Sequence, residues 1–112
     1  MKTVILPLEI SIEGLNDIPD ERKKDPVQLC VLVIKNIMIN FANQHRGFQE
    51  PQRKQYWRLC DALDNALTLK LKEVEIENDL YGFLRACKRD GAMVPDELLR
   101  RVEILIDSVK PE

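Results

Sequence analysis

The chain has 112 residues, of which 45% are apolar and 32% charged, and it carries a formal net charge of −2. That length is one domain's worth, 1–112, and the composition is that of a folded protein with a charged exterior, not a disordered one. A net negative chain lacks the positive excess that drives non-specific nucleic-acid binding, and only six aromatic residues leave aliphatic side chains to fill the core.

Three cysteines, Cys30, Cys60 and Cys87, are an odd number with no C-x-x-C pair. Each sits in an apolar helical context, which reads as three buried thiols in a reducing compartment. A cytoplasmic protein, or one held within an assembled particle, is therefore expected. The apolar run Val27–Ile34 is too short to span a bilayer. The start, MKTVILPLEISIEG, has one Lys, then Pro7, Glu9 and Glu13, and does not read as a signal peptide.

In chain order, residues 3–13 alternate apolar and polar, with Leu8, Ile10 and Ile12 against Glu9, Ser11 and Glu13, and predict a strand. Pro7 confines it to an edge or marks a break. Residues 14–25, GLNDIPDERKKD, predict a loop. Asp25, Pro26 and Gln28 predict a helix start with Asp25 as its cap, and the helix runs over 26–44. Its apolar residues extend around too much of the wheel for a one-sided surface helix. Leu32 and Ile39 fall among Gln28, Lys35, Asn36 and Asn43, which should be the wet face. Such a helix is either the central core helix or one shared with another subunit.

A second helix is predicted over 51–67 from the stripe Tyr56, Leu59, Cys60, Leu63, Ala66 and Leu67. Strand character returns over 69–77, with a one-residue slip at Lys72-Glu73 that suggests a bulge or hairpin. Asn78 opens a third helix, 78–90, with Gly91 as its stop. Pro95 opens a fourth, 95–109, with Asp96 and Glu97 in its first turn. The predicted fold is α+β, mainly α: about four helices with a small two-stranded element. Its two halves echo each other in element order, though residue identity does not repeat between them.

Motifs for chemistry are sparse. One His and three widely spaced Cys give no metal-ligand spacing, and Glu73, Glu75 and Glu77 read as the solvated side of a strand. Cys60 lies inside an apolar stripe, where a thiol is inert, and His45 follows a helix end, where it would meet that helix's last carbonyls. Serine occurs only at 11 and 108, and the four glycines are isolated, so no nucleophile elbow, phosphate loop or dinucleotide fingerprint exists. No catalytic, metal or cofactor residue is nominated, and an enzyme is not expected.

The segment HRGFQEPQRKQYWRLC, residues 45–60, draws the attention instead. Arg46, Arg53, Lys54 and Arg58 make a local basic cluster that could contact nucleic acid, with Trp57 to stack on a base. Arg85, Lys88 and Arg89 form a second cluster and Arg100 and Arg101 a third, but acids surround these clusters, as on any solvated helix face. With Tyr56 at the wheel's origin, Trp57 falls at about 100°, off the apolar stripe and beside Arg53, Asp61 and Asp64. It either covers a loop or the N-terminal strand of its own chain, or anchors a partner, since Trp and Arg are enriched at interface centres. Trp57, Arg53, Leu32 and Ile39 are the predicted partner interface. The expected function is protein association, as a homo-oligomer or as a subunit of a larger complex. A small, acidic, motif-free helical chain is of the type common among phage and mobile-element accessory or assembly proteins. The alternative is a small nucleic-acid-binding protein using 46–58.

Overall fold

The computed structural model describes residues 2–15 and 25–109. Strand β1 (Thr3–Pro7) is followed by helices α1 (Pro26–Gln44) and α2 (Glu50–Thr68). Strand β2 (Glu73–Glu77) is followed by α3 (Asn78–Asp90) and α4 (Glu97–Ser108). The architecture is α+β, mainly α, with the predicted elements in the predicted order. Most of the predicted 14–25 loop lies outside the described residues.

The two strands pair antiparallel, Thr3 opposite Glu77 through Pro7 opposite Glu73. Val4 and Leu6 of β1 and Val74 and Ile76 of β2 turn inward, while Ile5, Glu73 and Glu75 turn out. On the outer face Thr3 Oγ1 donates to Glu75 Oε1 at 2.6 Å.

Both strands are shorter than predicted. After Pro7, whose nitrogen carries no proton, one more backbone bond forms, from the Leu8 N–H to the Lys72 carbonyl at 2.9 Å. Leu8 and Ile10 are nonetheless buried and Ile12 is half-buried. The alternation over 8–12 therefore reports burial of an extended chain, not pairing in a sheet.

The start of β2 moves from 69 to 73 because α2 uses Leu69–Leu71 to end itself. Lys70 adopts a left-handed conformation, φ 56°. The Leu71 N–H reaches back to the Ala66 carbonyl at 2.8 Å, and the Lys70 N–H to Leu67 at 3.1 Å. This is a Schellman turn with lysine where glycine is usual. There is no bulge or hairpin at Lys72-Glu73. Helix α1 ends in the same manner, with Arg46 at φ 60° and the Gly47 N–H bonded to the Ala42 carbonyl at 2.6 Å.

Helix starts follow their caps. The Asp25 carboxylate accepts from the Gln28 N–H at 3.0 Å. Helix α2 begins at Glu50, where the Gln49 N–H donates to Gln52 Oε1 at 3.1 Å. Helix α4 begins at Glu97, not Pro95. Asp96 is extended (φ −136°, ψ 172°) and accepts from the Leu99 N–H at 2.7 Å, so it caps the helix from outside.

The buried side chains of both strands and all four helices form one cluster. Helix α1 is its centre and touches each of the other three helices. Eight of its residues are buried: Leu29, Cys30, Val31, Val33, Ile34, Ile37, Met38 and Phe41. Gly91 stops α3 at φ −95°, without a left-handed turn. Glycine is required there by close packing, since a Cβ would stand 2.9 Å from the Cys87 carbonyl and 3.4 Å from Phe41. Tyr81 is buried and donates from its hydroxyl to the Ile106 carbonyl at 2.6 Å, tying α3 to the end of α4.

Candidate protein-interaction site

The segment 45–60 begins as the turn between α1 and α2. His45 caps α1, its backbone N–H bonded to the Phe41 and Ala42 carbonyls. With those carbonyls satisfied by the backbone, the ring does not meet them as predicted. It stacks on Phe41 at 4.3 Å, and its Nε2 lies 3.2 Å from the Asp90 carbonyl, the last of α3. A carbonyl only accepts, so Nε2 carries the proton in this bond. Phe48 then packs between Phe41, Tyr56 and Phe83, and Tyr56 stacks on Trp57 at 5.2 Å. One face of Trp57 is thus held by aromatic contacts that lead into the core.

The rest of Trp57 is bare. It is 63% exposed, so most of it is left uncovered. Leu32 and Ile39 are 44% and 43% exposed. All three stand on the outer sides of two consecutive helices, with Ile39 and Trp57 on the turn side of a cross-helix ion pair and Leu32 on its far side. Lys35, which lies between Leu32 and Ile39 along α1, forms an ion pair with Asp64 of α2. Asp64 lies seven residues, two turns, beyond Trp57 on nearly the same bearing of α2. The exposed wedge of α1 (Gln28, Leu32, Asn36, Ile39, Asn43) and that of α2 (Arg53, Trp57, Asp61, Asp64) are linked by the Lys35–Asp64 pair. Arg53, the remaining predicted interface residue, stands one turn before Trp57 on the same face.

The basic residues of 46–58 are not gathered. Arg46 holds the left-handed turn of α1. Lys54 lies 3.7 Å from Glu50. Arg58 bonds Glu77 and lies 3.7 Å from Asp79, and these acids hold its pKa above the usual arginine value. Arg53 and Arg58 point about 140° apart on α2. In the other clusters Lys88 pairs with Asp107 at 2.9 Å, Arg89 with Asp90 at 3.0 Å and Arg101 with Glu97 at 3.2 Å, while Arg85 lies over the Tyr81 ring.

The three thiols are free and buried. Burial pushes Cys30 up to about 12. Burial, helped by Asp90, does the same to Cys87. Cys60 is raised mainly by burial, against an opposing hydrogen bond from Tyr56. None is poised as a nucleophile at neutral pH. Among the described residues no three His, Cys, Asp or Glu side chains cluster as metal ligands.

Other exposed apolar side chains went unread in the sequence: Ile5, Leu69, Leu71, Val94 and Ile104. The alternation of β1 already placed Ile5 outward, whereas nothing local marks Val94, which is 87% exposed between α3 and α4. A cleft of about 300 Å³ near the start of α1 is lined by apolar Val27, Leu67 and Leu71 and by Glu9 and Lys72, which pair at 3.4 Å. The 19-residue α1 is long and apolar enough to cross a membrane, with a mean hydropathy of 1.3, although the 27–34 run alone is not. Here it is the buried centre of the fold. No family model, curated protein or solved structure matches the chain.

Proposed function

We propose that this protein works by association with protein, as a homo-oligomer or as a subunit of a larger complex, and performs no catalysis of its own. The observation that carries this reading is the exposed face on α1 and α2, where Leu32, Ile39 and Trp57 stand around the Lys35–Asp64 pair. A tryptophan 63% exposed, stacked on one side only, on a helix pair that also exposes two aliphatic side chains, is costly to leave in water. Burying such a cluster inside a polar rim is how interface centres are built. The nucleic-acid alternative has less behind it, because Lys54 and Arg58 already face carboxylates.

The test is a photo-crosslinking amino acid placed at position 57 in the producing cell, with position 65, two turns along α2 and about 80° round it, as control. Adducts at 57 that disappear when Leu32→Asp is added are the expected result. Equal adducts at 57 and 65, or adducts at 57 that are indifferent to Leu32→Asp, would overturn the reading.

A further inference from the structure

Association with protein leaves the partner open, and the identity of that partner rests on the association reading. Glu50, Arg53, Trp57, Asp61 and Asp64 recur along α2 at spacings of three and four, so they line one side of the helix. All five are exposed. Their charges reverse about Trp57, with Arg53 one turn before it and Asp61 one turn after. Among the described residues neither Arg53 nor Asp61 has an ion-pair partner.

A two-fold axis makes an interface self-complementary: if one residue meets a second across it, the second meets the first. In an antiparallel helix pair with its axis at residue 57, positions equally far before and after 57 face each other. Arg53 then meets Asp61 of the partner subunit, and Asp61 meets Arg53 of the partner subunit. Glu50 would meet Asp64 of the partner subunit, but each of these acids has a lysine of its own chain beside it, Lys54 at 3.7 Å and Lys35. A parallel pairing in the same register would set like charges together at 53 and at 61. The geometry points to a second copy of this chain as the occupant of the Trp57 face, docked as an antiparallel α2–α2 pair on a two-fold axis through Trp57.

The size is adequate. A standard interface takes roughly 800 Å² from each partner, near a tenth of the 7328 Å² exposed here. Two adjacent 19-residue helices, each about 28 Å long and about 10 Å apart, present a face of that order.

The experiment is charge exchange across the axis, read by native mass spectrometry and by the emission of the chain's one tryptophan. Wild-type protein should form dimers with blue-shifted emission that moves to the red on dilution. Arg53→Asp and Asp61→Arg should each place like charges together twice and weaken dimerisation roughly tenfold or more. An equimolar mixture of the two variants should give the heterodimer, and R53D/D61R in one chain should recover the homodimer. Recovery also shows that the single variants fold. A wild-type monomer with solvent-exposed emission at every concentration would overturn self-pairing, and crosslinking at position 57 would then decide the association reading alone. A dimer lost in Trp57→Ala but indifferent to the charge exchange would overturn the two-fold register and leave that reading standing. A dimer indifferent to both would overturn the Trp57 face as the site of association, and this pairing with it.

Discussion

Lys35 of α1 and Asp64 of α2 form an ion pair across the outer mouth of the groove between their helices, the lysine 27% exposed and the carboxylate 58%. A pair this accessible contributes little to folding, of the order of 1 kcal/mol or less. Lys35→Met keeps the apolar stem and removes the charge. It is expected to shift urea denaturation by no more than about 1 kcal/mol, while weakening association through the neighbouring Trp57 face. Sedimentation of the variant against wild type reads the second effect, and a loss of fold without a change in association would reverse the assignment.

Lys70 and Arg46 end their helices in left-handed conformations that favour glycine. Lys70→Gly keeps both Schellman bonds and removes the Cβ strain, so it should stabilise the protein by about 0.5–1 kcal/mol. Lys70→Val should destabilise by more than that, because a β-branched residue resists positive φ. Urea midpoints of the two variants check the sign of each effect.

The hydroxyl of Tyr81 is buried and donates to the Ile106 carbonyl. Tyr81→Phe removes this donor and leaves carbonyls at the end of α4 without it. The expected cost is about 1–2 kcal/mol. Hydrogen exchange should quicken in α4 before it does in α1.

Cys30 and Cys87, held by burial near 12 against an ordinary thiol value of 9.0, should resist alkylation in the native protein at mildly alkaline pH and react fully in denaturant. The linkage has a definite sign. The unfolded chain loses these protons near 9.0 and the folded chain only near 12, so the folded state binds more protons in between. Stability is therefore complete below pH 9.0 and is lost as the pH rises toward 12. Cys30→Ala and Cys87→Ala should flatten that slope in denaturation curves recorded across the range.

Helix positions were legible because their signals are local. Asp25-Pro26 marked the start of α1, and the stripe from Tyr56 to Leu67 marked the inner face of α2. Leu32 and Ile39 were identified as apolar residues on a wet face for the same reason. The strand limits were not legible, because pairing ends where a partner ends. Residues 8–12 alternate as a strand does, yet among the described residues no strand lies opposite them once Lys70 has turned the chain. No sequence signal marks a lysine that takes a glycine's conformation. Trp57 was placed off the apolar stripe by the wheel alone, but whether its own chain covers it depends on long-range contacts. The route of His45 to the Asp90 carbonyl is likewise set by the packing of α1 against α3.

Self-association through Trp57 is tested most simply by the absolute mass of the untagged protein in solution, by light scattering after size exclusion, for wild type and for Trp57→Ala. The expected mass is about 26 kDa for wild type, twice the 13.0 kDa of the chain, and the monomer mass for a Trp57→Ala variant that melts as wild type does. A wild-type monomer would contradict self-association through this face. A Trp57→Ala protein still at twice the chain mass would contradict the face itself.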